Sequence, residues 1–322
     1  MFDWKEISLH EIKGVKIGHA QSEPHATGCT VILPDKKAVC GLDDRGGGPA
    51  SRETQLLHPM MSNDGVNAVV LSGGSAFGLD AAGGVMKFLE EQGKGVKVGN
   101  NIVPIVVQSC IFDLGCVDGS VRPDAAMGYK ACEDAQRNIE RNGNVGAGMG
   151  ATVGKLLGND RSMKSGLGCY AVQAGNVQVG AIVAVNAIGD VYDMDTGKEL
   201  AGLLNKEKSS MISSENEAVK ILQLASTLCL NTTIACIITN ANLDKAEMNK
   251  VAAMASNGMA RTIRPVNTSM DGDSVYAISV GKVRSCADVV GTLASHVLAK
   301  AINRAVLETK PIYGYKSAQS FL

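Results

Sequence analysis

Aromatic side chains make up only 4% of this 322-residue chain, tryptophan occurs once, and histidine occurs five times. His10, His19, His25, His58 and His296 show no His-Glu-x-x-His or comparable ligand spacing, so neither a metal nor a cofactor is expected. A hydrolase built on this chain must therefore find its base outside the usual histidine or metal-bound water. No apolar run approaches the about 20 residues that span a bilayer. Net charge is −1 and no long Lys/Arg cluster occurs, which argues against a membrane or nucleic-acid partner. The nine cysteines are odd in number, lack Cys-x-x-Cys spacing and sit mostly within apolar runs. They read as reduced core thiols of a cytoplasmic protein rather than a disulfide framework. The opening MFDWKEISLHEIKG has no basic stretch followed by an apolar one, so no secretory signal is expected.

What is abundant is small and apolar: 37 glycines and a hydrophobic content of 45%. That balance suits sheets and helices meeting through small side chains. Strands are expected at 29–33, 67–71, 103–107, 177–185, 234–239 and 275–280. Helices are expected at 76–91, 122–141, 217–228, 244–257 and 286–307. Asp244 followed by Glu247 is a capping-box signal. Met248, Val251, Ala252 and Ala255 then repeat at core-facing helical spacing. The polar run NKEKSSMISSENEAVK, 205–220, reads as an exposed loop. One α+β domain in packed layers is the expected architecture.

Two glycine-rich motifs invite functional readings and fail them. GAGMGATVGK, 146–155, has the wrong register for a phosphate loop, and Leu156 stands where a magnesium-binding hydroxyl belongs. Close backbone packing that presents Lys155 is the remaining reading. SGGSAFG, 72–78, has Phe77 where a nucleophile elbow needs glycine, so Ser75 is expected to cap a helix after a Gly73–Gly74 turn.

NTTIACIIT, 231–239, is a buried strand entered through an amide and two hydroxyls. Threonine acts as a nucleophile when a nearby group removes its proton. A lysine is neutral in less than about one part in a thousand at pH 7, whereas an α-amine is neutral in about one-tenth. An N-terminal threonine thus carries its own base. Producing one in mid-chain requires scission of the preceding peptide, which the hydroxyl itself can attack. A threonine opening a strand is equally an ordinary consequence of β-propensity, so spacing alone leaves both readings open.

Seven segments carry a resemblance: GCTVIL (28–33), SGGSAFGLDAA (72–82), GAGMGATVGK, VNAIG (185–189), NTTIACIITNANL (231–243), GMART (258–262) and TSMDGDSVYAIS (268–279). In this order the chain resembles the DmpA-type family of self-processing N-terminal-nucleophile hydrolases, peptidase family S58, close to its nylon-oligomer-hydrolase branch. The resemblance implies a four-layer αββα sandwich of the DmpA and ornithine-acetyltransferase type. It also implies scission between Asn231 and Thr232 into associated chains 1–231 and 232–322, and a homotetramer or larger homo-oligomer. Thr232 would be the nucleophile, its α-amine the base, and Asp271 and Asp273 the acids that orient it. Asn186 would serve the oxyanion and Lys155 would supply fixed positive charge. The family's tyrosine in an Ile-Tyr-Asp segment is replaced here by Phe112. The implied activity is an amidohydrolase or aminopeptidase acting on small peptides, amides or ω-amino-acid oligomers. An acyltransferase of the ornithine-acetyltransferase type and a non-processing binding protein are the alternatives.

Overall fold

The computed structural model describes residues 4–221 and 231–321. Two large sheets dominate. In chain order their strands are β1 (Lys5–Ile7), β2 (Val15–Ser22), β3 (Thr27–Pro34), β4 (Val39–Asp44), β5 (Ala50–Arg52), β6 (Ala68–Ser72), β7 (Val106–Cys110), β8 (Leu167–Ala174), β9 (Val177–Asn186), β10 (Thr232–Ala241) and β11 (Ser274–Val283). The helices are α1 (Ala81–Glu91), α2 (Ala125–Asp134), α3 (Ser214–Ile221), α4 (Lys245–Ala255), α5 (Asn257–Thr262) and α6 (Ala287–Leu307).

The first sheet runs β1-β8-β9-β10-β11-β4 and the second β2-β3-β6-β7-β5. Pairing is antiparallel except for β10 with β11 and β6 with β7. Strand alternation separates the layers. On β10, Ala235 and Ile237 join the core under α4 and α6, while Ile234, Cys236 and Ile238 face the other sheet. On β11, Val275 and Ala277 face the helices and Tyr276 and Ile278 the second sheet. The second sheet mirrors this, with Ile32, Val69 and Leu71 inward and Val31, Val70 and Val106 under α1 and α2. The result is helices, sheet, sheet, helices: the αββα sandwich expected from the resemblance. A polar contact crosses the inter-sheet core from Tyr276 Oη to Ser109 Oγ at 2.7 Å.

Small residues set how closely the layers approach. A Cβ on Gly84 would lie 1.7 Å from the Ala125 carbonyl oxygen, and one on Gly128 2.0 Å from that of Ala81. Helices α1 and α2 therefore touch backbone to backbone at a reciprocal pair of glycines.

Several boundaries differ from expectation, each for a local reason. The strand expected at 103–107 starts only at Val106, because Pro104 has no N–H for a ladder; residues 101–103 join a separate hairpin instead. Helix α2 is shorter than 122–141: it begins behind the Asp124 cap, whose carboxylate accepts from Met127 N at 2.8 Å, and stops at Asp134. The run 205–220 is not all loop, since α3 starts at Ser214. The remainder of the helix expected at 217–228 lies outside the described residues. Ser75 caps nothing with its side chain; it sits at φ +52° inside a 3-10 turn whose N-cap is Gly74. His296 is half-buried against the rings of Trp4 and Tyr170 rather than enclosed in the core.

Candidate active site

Asn231 and Thr232 lie where β10 begins, in the middle of the first sheet. Thr232 stands opposite Asn186, the last residue of β9, in the antiparallel ladder. Asn231 forms an isolated parallel bridge with Asp271, just ahead of β11. Its N–H donates to Met270 O at 3.2 Å, and its carbonyl accepts from Gly272 N at 2.9 Å. The Thr232 hydroxyl donates to that same carbonyl oxygen. The Asn231–Thr232 peptide thus meets two donors on one oxygen, with the hydroxyl of its own following residue against it. Both residues are buried.

Gly272 was not singled out from the sequence, and its contribution is a backbone N–H that any residue but proline possesses. What requires glycine is space. A Cβ there would lie 3.0 Å from Thr232 Oγ1 and 2.8 Å from Gly48 O.

The two acids bracket this glycine, both buried. Asp273 accepts from Thr233 N at 2.6 Å with one oxygen and from Asn267 N at 2.9 Å with the other. Asp271 accepts from Thr268 N at 3.0 Å and Thr268 Oγ1 at 2.6 Å through Oδ2. Its Oδ1 is buried, and the Ile188 backbone N–H also faces this carboxyl. None of these bonds goes to Thr232: Asp273 ties the start of β10, through Thr233, to the loop before β11, and Asp271 braces that loop through Thr268. Burial pushes both carboxyls up; the charge of Asp271 raises Asp273 further, while Lys155 draws both back down.

Lys155 is buried, with Nζ donating to Asn186 O at 2.8 Å. The Asn186 side chain accepts from Thr152 N at 3.1 Å and donates to Phe112 O at 3.0 Å. Phe112 therefore enters the site through its carbonyl, and the amide of Asn186 braces the surrounding loops. All six residues read from the sequence, Lys155, Asn186, Asn231, Thr232, Asp271 and Asp273, are brought to one end of the β9-β10-β11 ladder.

A cleft of about 210 Å³ opens on this place, lined by Asn231, Lys155, Thr152, Phe112, Asp113 and Cys116 among others. Asp113 is buried in its wall, accepting from Gly74 N at 2.7 Å and Thr27 Oγ1 at 2.8 Å; burial raises its carboxyl to about 6. The glycine-rich segment forms the other wall, and most of its N–H groups are spent inside the protein. Gly148, Met149 and Ala151 donate to carbonyls within the turn, Thr152 to Asn186, and Gly154 and Lys155 to the carbonyls of Gly189 and Ile188. Those donors are therefore unavailable to a phosphate. A second residue missed in the sequence holds this segment: Lys164, fully buried, donates to the carbonyls of Gly148, Ala151 and Ser165 at 3.2, 2.8 and 2.6 Å. Burial brings its ammonium down to about 8.

A buried threonine at the head of a central strand, flanked by buried acids and a buried lysine in an αββα sandwich, is an arrangement suited to hydrolysis. Residues 8–320 match Peptidase family S58, and the chain belongs to that family. It is 39% identical to a protein named uncharacterised aminopeptidase from Mycobacterium leprae, over 95% of this chain and 92% of the relative. It is 29% identical to the 6-aminohexanoate-oligomer endohydrolase of Agromyces sp., over 94% and 86%. Among solved structures, the L-aminopeptidase D-Ala-esterase/amidase of Ochrobactrum anthropi superposes with a TM-score of 0.69 at 17% identity, covering 95% of this chain and 87% of that one. A Burkholderia sp. beta-aminopeptidase superposes with 0.67 at 16%, covering 96% and 89%. The chain is an amide-hydrolysing enzyme of this family.

Proposed function

We propose that the chain severs its own Asn231–Thr232 peptide and that the freed Thr232 hydrolyses small peptides, amides or linear ω-amino-acid oligomers. The observation that carries this is the Asn231 carbonyl, which accepts from Gly272 N while the Thr232 hydroxyl lies against it. The hydroxyl attacks the Asn231 carbonyl carbon, and charge developing on its oxygen is met by the Gly272 N–H. The buried carboxyl of Asp271, the residue bridged to Asn231, is the group proposed to receive the hydroxyl proton. That proton passes on to the Thr232 nitrogen as the peptide C–N bond breaks, leaving an ester between Asn231 and Thr232 and a free amine on Thr232. Water hydrolyses that ester to the Asn231 carboxylate and the Thr232 hydroxyl.

In turnover the same hydroxyl attacks a substrate amide, with the Thr232 amine taking its proton and passing it to the leaving amine. Asp271 and Asp273 hold the resting ammonium, and Lys155 adds positive charge beside the reacting carbonyl. Asn186 bonds Phe112 and Thr152 in the uncut chain; its amide turns to the substrate oxyanion only if it exchanges the Phe112 bond. The protein is further proposed to be a cytoplasmic homotetramer or larger homo-oligomer, which sedimentation velocity measures.

Intact mass spectrometry of purified protein tests the central step. Two chains of 231 and 91 residues are expected from wild type, and a single chain without hydrolase activity from Thr232→Ala. An uncut wild type that hydrolyses amides, or a Thr232→Ala protein that still splits, overturns it.

A further inference from the structure

Beyond Cys116 lies a second cavity of about 220 Å³. Cys116 lines both spaces, and the turn that supplies Asn159 to the first supplies Asp160 to the second. The two therefore adjoin across a single residue. Their chemistry differs. The first is walled by Phe112, glycines and the candidate active-site groups, the second by hydroxyls and two lysines, Lys208 and Lys316.

The second cavity is braced. Tyr315 Oη donates to Cys116 O at 3.2 Å, and Lys316 O accepts from Lys164 N at 2.7 Å. Lys316 Nζ donates to Lys208 O at 2.7 Å, which brings the two lysines together. No hydrogen bond or ion pair engages the Lys208 ammonium among the described residues. The guanidinium of Arg161 is tied to Leu204 O, a lining residue, at 2.8 Å. Asp160 is the acid of the lining, exposed, against these cations. Positive charge prevails, and it prevails at the far end of a path that starts at Asn231.

We propose that this cavity binds the terminal carboxylate of a linear substrate, with Lys208 and Lys316 as its partners. The inference rests on the amidohydrolase reading above and narrows its substrate class. An unbranched oligomer at neutral pH carries an ammonium at one end and a carboxylate at the other. With an amide against Thr232, the segment leading past Cys116 delivers its end to the two ammoniums, where charge-assisted hydrogen bonds form. Cleavage then falls at a set distance from a free carboxyl end.

The test compares a short α-peptide series and a linear ω-amino-acid oligomer series, each as the free acid and as the carboxamide. With the processed enzyme, free acids are expected to exceed carboxamides in kcat/KM by on the order of tenfold, through KM. That ratio should fall toward one in the Lys208→Met protein, and further in Lys208→Met/Lys316→Met. Lys208→Met alters only a loop ammonium with no structural bond, so it keeps the test informative if the double variant folds poorly. Preference in one series only identifies which carboxylate the cavity takes. Hydrolysis of both forms at equal kcat/KM, or a preference that survives both substitutions, overturns the carboxylate site and leaves the amidohydrolase intact. Turnover of neither form in either series overturns both.

Discussion

Two donors converge on the Asn231 carbonyl oxygen, and one of them belongs to a glycine whose missing side chain matters more than its flexibility. Replacing Gly272 by alanine puts a methyl group 3.0 Å from the Thr232 hydroxyl and 2.8 Å from a backbone oxygen that cannot swing away. Gly272→Ala should therefore slow the proposed chain scission at least about tenfold while the protein remains folded, since the hydroxyl loses its position against the carbonyl. A time course on denaturing gels, with circular dichroism as the control, reads this; scission at the wild-type rate would remove Gly272 from the chemistry. Asp113 supplies a pH prediction at the same scale. Its folded-state carboxyl, raised to about 6 from an ordinary 3.8, binds its proton more tightly than the unfolded chain does. Its contribution to stability is thus full below about pH 4 and lost as pH rises through 6. Asp113→Asn removes that dependence, because an amide stays neutral throughout. In an uncut Thr232→Ala background, Asp113→Asn should gain on its parent by up to about 3 kcal/mol between pH 4 and 7. Urea unfolding across that range measures it, and parallel pH curves would refute it.

At the scale of elements, the site depends on segments that carry none of its chemistry. The ammonium of Lys164 is the clamp of the glycine-rich turn, and that turn sets both Thr152 and Lys155. Lys164→Met leaves three carbonyls without this donor inside the protein, a loss of roughly 3 kcal/mol or more. The variant should show a lowered Tm and a slower scission, with Thr152 N and the Asn186 amide no longer held together. Helix α4 offers a comparison remote from the chemistry. Its capping box joins Asp244 and Glu247 in both directions at 2.9 and 2.8 Å. Asp244→Ala should cost about 1 kcal/mol of stability and leave the scission rate unchanged. Equal effects of the two variants on scission would mean that Lys164 acts only through global stability.

At the scale of the molecule, the proposed cut would run through the middle of a sheet. Strands β1, β4, β8 and β9 would belong to the first fragment, β10 and β11 to the second, and β10-β11 lies between β9 and β4. Each fragment would also need the other to complete its core: α4 and α6 come from the second and cover β8, β9 and β4 as well as β10 and β11. The two fragments should therefore elute as one species in native size-exclusion chromatography and separate only in denaturant. Fragments that part at neutral pH without denaturant would be incompatible with this interleaving.

Periodicity and capping chemistry made β9, β10, β11, α4 and α6 legible, because their apolar positions repeat over whole elements and their caps are local. The strands β2, β4 and β8 were not, since VKIGHAQS, VCGLDD and LGCYAVQA mix glycine and polar residues into the alternation. They pair because neighbouring strands and helices cover them, which no window of sequence expresses. Thr232 with its preceding asparagine could be raised as a candidate from residue types alone, whereas the Asp-Gly-Asp pair, Asn186 and Lys155 were reached through the family resemblance. Which atom meets which was decided by the tertiary structure alone. The Gly272 N–H reaches Asn231 O through a parallel pairing across forty residues, and Lys164 is marked as buried by nothing in Ser-Met-Lys-Ser-Gly. Side-chain chemistry travels with the residue, whereas backbone donors and buried charges take their meaning from what folding sets beside them.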